Sequence, residues 1–276
     1  MTPAKRRAIF ERLREANPNP TTELAHTSPF ELLVAVVLSA QSTDRGVNKV
    51  THALFPVANT PAAIAALGVE GLIPYIGSLG LFRNKAKNVV ALAGILVREH
   101  AGEVPTTREA LEQLPGVGRK TANVVLNVAF GQPTIAVDTH IFRVANRAGL
   151  ARGKDVEAVE SALEASVPDE FRLNAHHWLI LHGRYVCVAR TPLCPDCVIR
   201  DLCEYPDKTG DPVPAPSRRK VVTRSRTDLP RPSKRPPRRI EPAPKPPAKP
   251  LAKAARGGVQ PMAKTARAGT RRGRTR

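Results

Sequence analysis

The sequence has few aromatic residues, no long apolar runs and few acidic residues near its end. Aromatic side chains make up 4% of the 276 residues, which argues against recognition through many stacked rings. The longest apolar runs, around Leu32–Ala40 and Val89–Val97, are about half of the roughly 18 residues that cross a bilayer. The first residues do not lead into a secretory signal. We therefore expect a cytoplasmic protein that does not associate with a membrane.

Positive charge is concentrated in the last quarter of the chain. The sequence has 43 Lys and Arg against 24 Asp and Glu, a net charge of +19. Residues 211–276 hold 20 of these basic residues, only three acids, and 13 of the 27 prolines. Because this composition offers little apolar surface for a core, we interpret residues 207–276 as a disordered basic tail. Such a tail attracts nucleic acid or acidic membranes without sequence preference; the alternative is a solubilising linker.

Residues 1–206 carry many helix signals and hardly any alternating strand pattern, which predicts an all-α fold. Ser28 supplies an N-cap, Pro29 a first-turn proline and Glu31 a capping-box glutamate for a helix over Pro29–Ala40. One further predicted helix starts at Thr60-Pro61 and ends at Gly68, and another starts at Thr106 with Glu109. The other predicted helices cover Asn84–Glu99, Lys120–Phe130, Thr139–Ala148, Asp155–Ala165 and Arg172–Val186.

All four cysteines, Cys187, Cys194, Cys197 and Cys203, fall within a 17-residue window with the spacing C-x6-C-x2-C-x5-C. Disulfides are rare in cytoplasmic proteins, and four thiolates in one loop are what a metal centre requires. Structural zinc usually takes two close pairs of ligands, whereas only Cys194 and Cys197 form one here. The spacing also differs from that of small ferredoxins. The residues alone leave an iron–sulfur cluster and zinc both open.

A glycine-rich turn lies within the sequence LPGVGRKTA, residues 114–122. Gly116 and Gly118 permit a tight turn that points free N–H groups outward from the start of the next helix, which is typical of a phosphate site. A P-loop is excluded, because arginine stands between Gly118 and Lys120. The alternative is an ordinary connection between two helices.

A second motif, VDTH, occupies residues 137–140. Asp138 is placed to cap the helix that follows, so a purely structural role is one alternative for it. His140 has the corresponding alternative of a hydrogen-bonded polar residue without a binding role.

These motifs together resemble the endonuclease III family of helix-hairpin-helix DNA glycosylases. The resemblance rests on LPGVGRKTA, on VDTH with its aspartate 18 residues after Lys120, and on the cysteine pattern. It covers about residues 5–206 and includes Ser39–Asp44 and His182–Arg184. It implies a bifunctional enzyme of base excision repair that acts on double-stranded DNA at the nucleoid. Such an enzyme removes oxidised pyrimidines and then cleaves the strand at the abasic sugar by β-elimination.

The resemblance also implies an architecture of two helical lobes with the active site between them. A six-helix bundle containing the hairpin is expected over residues 22–132. The second lobe is expected to combine residues 1–21 with 133–206, where the four cysteines hold a [4Fe-4S] cluster. We expect a monomer, because one cleft per chain needs no second subunit.

The resemblance assigns roles to individual positions. Lys120 matches the nucleophile and Asp138 the catalytic carboxylate, while Gln41 and Leu81 match residues that fill the gap left by an extruded nucleotide. The chemistry agrees, since an amine can displace the base and remain bonded to the sugar, and a carboxylate can stabilise the cationic sugar. Further expected DNA contacts are Gly116, Val117, Gly118, Arg119, His140 and Arg190, with Asp44 and Glu112 shaping the pocket.

Three other functions compete with this interpretation. A monofunctional glycosylase would use water as the nucleophile, which Lys120 argues against. A non-catalytic DNA-binding module would leave Lys120 and Asp138 unexplained. An electron-transfer protein is disfavoured, because a single cluster held by cysteines with this spacing would be unusual for that class.

Overall fold

The computed structural model describes residues 1–210, so nearly all of the predicted tail lies outside the described part. Within that part the chain is all-helical and contains no strand, which confirms the predicted fold class. None of the helices in residues 1–210 combines the length and the apolar character needed to cross a bilayer. The helices are α1 (Pro3–Ala16), α2 (Pro29–Ser39), α3 (Asp44–Leu54), α4 (Pro61–Ile76), α5 (Phe82–Glu99), α6 (Arg108–Glu112), α7 (Arg119–Phe130), α8 (Thr139–Ala148), α9 (Val156–Ser166) and α10 (Arg172–Tyr185).

The predicted cap of α2 is present. The hydroxyl of Ser28 accepts a hydrogen bond from the N–H of Glu31 at 3.1 Å. The carboxylate of Glu31 in turn accepts from the N–H of Thr27 at 2.6 Å. These two bonds satisfy backbone donors that the first turn of a helix leaves free.

One predicted helix start is wrong, and one predicted helix end is confirmed. Thr107, and not Thr106, caps α6, since its hydroxyl accepts from the N–H of Ala110 at 3.4 Å. The helix that begins at Pro61 is broken at Gly68, as predicted, where φ is 67° and ψ is 177°. A second helical segment follows within α4, ends at Ile76 and buries Leu72 and Ile76 in the core.

Helices α2 to α7 surround a first apolar cluster that extends in sequence from Leu24 to Leu126. Its centre is α2, in which every residue from Phe30 to Leu38 is buried. A helix that is apolar on all sides is stable only when others cover it completely. We call this group of helices the first lobe.

Helices α1 and α8 to α10 surround a second apolar cluster, and we call this group the second lobe. The rings of Phe10, Phe171 and Trp178 pack together with centroids 5.8 to 6.4 Å apart. The indole N–H of Trp178 donates to the carbonyl of Asn17 at 2.8 Å, which ties the end of α1 to α10. The domain boundaries given by the sequence stay a prediction.

Candidate functional site

A cavity of about 240 Å³ opens between the two lobes. Its walls come from the segment before α2, the loop after α2, α7 of the first lobe and α10 of the second. Lys120 is the only lysine among the residues that line it. The ionisable and amide side chains that line it are Glu23, Gln41, Asp44, Lys120, His176, His177 and Arg184.

The hairpin brings Lys120 to this cavity. Gly116 has a φ of 80°, and a Cβ there would lie 2.8 Å from Nδ2 of Asn88, so a side chain would strain the turn. Gly118 is the N-cap of α7, and no side chain caps the first N–H groups of that helix. Lys120 is the exposed second residue of α7 and therefore lies at the positive end of the helix dipole.

Two of the expected DNA contacts are engaged within the protein. The side chain of Val117 is buried in the first apolar cluster. The guanidinium of Arg119 donates from Nε to Oε1 of Glu160 on α9 at 2.9 Å, and its Nη2 lies 2.9 Å from the same oxygen as an ion pair. The amide of Asn123 donates to the same oxygen at 3.1 Å. The hydrogen bond to Glu160 raises the pKa of Arg119, and α7 is thereby fastened to the second lobe.

Asp138 caps α8. Its Oδ1 accepts from the N–H of His140 at 2.9 Å and from the N–H of Ile141 at 2.8 Å. Asp138 is not among the residues that line the cavity with Lys120. Within residues 1–210, no hydrogen bond involves Oδ2 of Asp138, so one carboxylate oxygen stays available after capping.

His140 lies beside an adjoining cavity of about 710 Å³. Its Nδ1 is 3.2 Å from Nη2 of Arg143. A Cβ at Gly183 would lie 2.8 Å from Cβ of His140, so α10 can approach the start of α8 only with glycine at that position. The predicted pocket residue Asp44 lines both cavities.

A charged network lies where the two cavities adjoin. The sequence did not predict it. The guanidinium of Arg184 on α10 donates to Glu23 and to Asp44, and the hydroxyl of Tyr185 donates to Glu23. The hydrogen bond from Tyr185 lowers the pKa of Glu23. Glu23 and Arg184 are 161 positions apart, so no local pattern could have paired them.

Gln41 and Leu81 share an unusual backbone conformation. Their φ angles are 54° and 57°, and the only other non-glycine residue of the described chain with positive φ is Ala101. Leu81 is 57% exposed although it is apolar, and Gln41 is also exposed. Strain of this kind persists only where the surrounding structure holds it, and it is common at functional sites.

The remaining predicted contacts lie on the surface. Glu112 is the exposed last residue of α6, just before the hairpin, and lines neither of the two cavities in the cleft. Arg190 is exposed at the start of the cysteine loop.

Two buried histidines on the cavity wall were not predicted. His176 and His177 have ring centroids 5.2 Å apart, and Nδ1 of each ring is buried without a partner among the described residues. Burial lowers the pKa of His176 to about 3, with smaller contributions from the nearby charges of His177, Lys120 and Arg184. His176 is therefore a neutral ring at physiological pH.

This burial predicts a pH dependence of stability. Because the pKa of His176 is lower in the folded chain than in the unfolded one, stability is lost as the pH falls below about 6.5 toward 3. Replacing His176 with Phe should make the free energy of unfolding less dependent on pH by up to about 1.4 kcal/mol per pH unit. Urea denaturation between pH 4.5 and 7 measures this slope. Exposed His52→Gln is the control, and equal slopes in the two variants would contradict the prediction.

The four cysteines are all free thiols and line one small cavity of about 20 Å³ in the second lobe. Its other walls include Val144, Ala148 and Ile199. In residues 1–210, no three or more His, Cys, Asp or Glu side chains are grouped as a site for one metal ion. Burial raises the pKa of Cys197 to about 11. Four sulfurs with apolar walls are a donor set suited to a thiolate-bound group.

Arg147 on α8 holds the beginning of the cysteine loop. Its guanidinium donates to the carbonyls of Val188 and Ala189, each at 2.8 Å, and lies 3.6 Å from Sγ of Cys187. It also stacks 4.7 Å above the ring of Tyr205. One arginine thus joins both ends of the loop to the helix that Asp138 caps.

Comparison with known proteins identifies the family. The family model for the HhH-GPD superfamily base excision DNA repair protein matches residues 34–169. Endonuclease III of Haemophilus influenzae is 64% identical over 208 residues, which are 75% of this chain and 99% of that protein. Endonuclease III of Escherichia coli strain K12 matches with the same identity and coverage. The chain belongs to the endonuclease III family.

Solved structures agree with this assignment. A trapped endonuclease III–DNA covalent intermediate with an estranged adenine has a TM-score of 0.69 and 48% identity, covering 74% of this chain and 96% of that one. A thermostable thymine-DNA glycosylase has a TM-score of 0.66 at 24% identity, which shows a shared fold alone. Membership of the endonuclease III family confirms the predicted enzyme class, a DNA glycosylase of base excision repair.

Proposed function

We propose that this endonuclease III family member is a bifunctional glycosylase and abasic-site lyase that excises oxidised pyrimidines. The observation that carries the proposal is Lys120, the one lysine of residues 1–210 that lines the cleft cavity. Its amine attacks C1′ of the extruded nucleotide, the C1′–N bond breaks, and the base leaves. The attached nitrogen gives up a proton, and the C1′–O4′ bond opens with O4′ taking up a proton, which leaves an iminium between Lys120 and the sugar. This iminium acidifies the C2′ proton, whose removal expels the 3′ phosphate. Hydrolysis of the iminium then releases the cleaved product and regenerates the lysine.

The surroundings of Lys120 support this chemistry. The amine must lose its proton before it can attack, and Lys120 reaches the cleft cavity from the first turn of α7. Asp138 would stabilise the cationic sugar and take part in proton transfer through the oxygen that capping leaves free. The related endonuclease III trapped as a covalent DNA intermediate is consistent with an amine nucleophile.

Access to C1′ requires the nucleotide to leave the duplex, at a cost of a few kcal/mol. We propose that the exposed, strained residues Gln41 and Leu81 fill the gap, Gln41 as a hydrogen-bonding partner for the orphaned base and Leu81 as an apolar wedge. The N–H groups of the hairpin and of the first turn of α7 would bind the phosphate backbone.

A duplex with a single thymine glycol tests the proposal. We expect the purified protein both to release the base and to nick the strand. Base release without nicking would overturn the lyase assignment, and neither product would overturn the choice of lesion class. A panel containing a pyrimidine dimer and a mismatched thymine then ranks the lesions, with oxidised pyrimidines expected to react fastest.

We further propose that Cys187, Cys194, Cys197 and Cys203 hold a [4Fe-4S] cluster. The support is the set of four free thiols around one apolar-walled cavity. When bound, the cluster supplies four iron–sulfur bonds that cross-link the loop. The chain's own contribution is to fix the loop from outside through Arg147.

Replacing Arg147 with Met should loosen this loop. The carbonyls of Val188 and Ala189 would lose a charged donor, so we expect a loss of about 2 kcal/mol in the free energy of unfolding and less iron bound per chain. Arg152→Met is a matched control, since Arg152 is exposed and forms only a surface ion pair with Glu204. Iron content equal to that of the control variant would count against the role of Arg147.

The basic tail should contribute affinity without changing the chemistry. Residues 211–276 carry nearly all the excess positive charge, so their removal should weaken duplex binding about tenfold or more at moderate salt and flatten its salt dependence. The cut belongs after Gly210, because the hydroxyl of Thr209 donates to the carbonyl of Pro192 at 2.7 Å. The single-turnover rate at saturating enzyme should stay unchanged. An unaltered affinity and salt slope would refute a binding role for the tail.

A further inference from the structure

The loops that carry Gln41 and Leu81 lie side by side. A Cβ added at Gly80 would lie 3.8 Å from the carbonyl oxygen of Gln41, so the two backbones are separated by little more than the width of one side-chain atom. Both loops hold a non-glycine residue in the left-handed region. Because such a conformation costs about 1 kcal/mol or more, each loop needs a neighbour that fixes it.

Lys85, in the first turn of α5, is bonded to both loops. Its Nζ donates to the hydroxyl of Ser42, the residue after Gln41, at 2.8 Å. Its backbone N–H donates to the carbonyl of Leu81 at 3.1 Å. The side chain therefore holds one loop while the main chain holds the other.

Lysine is an unusual residue type for a buried position such as that of Lys85. It is only 5% exposed, and no carboxylate of the described chain forms an ion pair with it. Burial lowers its pKa. A buried cation without a counter-charge reduces stability, and an apolar side chain of similar length would pack there at lower cost. Stability alone does not account for a lysine at this position.

We propose that Lys85 is a positioning residue that couples the two loops, so that Gln41 and Leu81 enter the DNA gap as one unit. This inference rests on the proposed function, in which these two residues replace the extruded nucleotide. The hydrogen bond to Ser42 transmits the position of one loop to the other.

The test uses the full chain and a duplex in which an abasic-site analogue faces 2-aminopurine. Insertion of the two loops should unstack the 2-aminopurine and raise its fluorescence. Lys85→Met should weaken binding about tenfold, as expected for losing a hydrogen bond from a charged donor, and abolish most of the fluorescence rise. Its melting temperature should be equal to or above that of the wild type, which a merely structural residue would not show. Lys87→Met, an exposed lysine on the same helix, is the matched control.

Ser42→Ala keeps the test independent of how well Lys85→Met folds. It should reduce the fluorescence rise in the same direction, and the double variant should be no worse than Lys85→Met, because the two residues act through one bond. A full fluorescence rise with Lys85→Met, or additive effects in the double variant, would overturn the coupling. If the wild type binds with no rise while Lys120 still forms its covalent complex, gap filling by these loops is overturned and the coupling with it, whereas the proposed chemistry stands.

Discussion

Replacing Lys120 with Ala should abolish covalent capture of abasic DNA by borohydride. Reduction traps an enzyme only when an amine has formed an iminium with the sugar, and a single lysine of the described part of the chain lines the cleft cavity. We expect the trapped complex and the strand cleavage to fall more than about a thousandfold, as is usual when a nucleophile is removed. Gel separation of the cross-linked complex and of the nicked strand measures both effects.

Binding should survive the same substitution. Lys120 is exposed, and its loss removes one positive charge, so affinity for an abasic-site analogue should fall by only a few fold. Lys120→Arg is the sharper variant, because it keeps the charge but offers a guanidinium that is always protonated. It should bind like the wild type and still fail to cross-link. Trapping by either variant at a tenth of the wild-type yield or more would show that another amine is the nucleophile.

The parts of the site that the sequence predicted are those fixed by local chemistry. The turn before Lys120 depends on glycines two residues apart, and the start of α8 on an aspartate that bonds to N–H groups two and three residues later. Such patterns are complete within a few positions. The break at Gly68 is of the same kind, because its φ of 67° is a conformation that glycine adopts without strain; the helical segment of α4 that follows it was not predicted.

The parts that the sequence did not predict depend on contacts between distant segments. Glu23 with Arg184 and Arg119 with Glu160 join positions 161 and 41 residues apart. The strain at Gln41 leaves no mark in the sequence, since neither a glutamine nor its neighbours require a positive φ. The resemblance implied a DNA contact for Arg119, and the sequence offered no sign that its guanidinium pairs with a buried carboxylate 41 positions away.

Removal of the Glu160 carboxylate is the second change from which we expect a large effect, a loss of stability. Glu160 accepts two hydrogen bonds from α7, one from Arg119 and one from Asn123, forms an ion pair with Nη2 of Arg119, and is buried. These donors lie immediately before Lys120 and one turn after it, so they set the rotation of the helix that carries the amine. Glu160→Ala would leave the buried amide of Asn123 without this acceptor, whereas the half-exposed guanidinium of Arg119 could turn to water. We expect a loss of about 2 to 3 kcal/mol in the free energy of unfolding, the usual result of leaving a buried polar group without its partner.

Two variants separate this role from a general intolerance of α9 to substitution. Glu160→Gln keeps an acceptor oxygen and should cost only about 1 to 2 kcal/mol. Glu164→Ala, one turn further along α9, removes only a partly exposed pair with Arg108 and should cost less than about 1 kcal/mol. Urea denaturation gives the order of stability, and borohydride trapping under native conditions should fall in the same order because the amine loses its orientation. If Glu160→Ala were no less stable than Glu164→Ala, the bonds to Arg119 and Asn123 would not be what holds α7 against the second lobe.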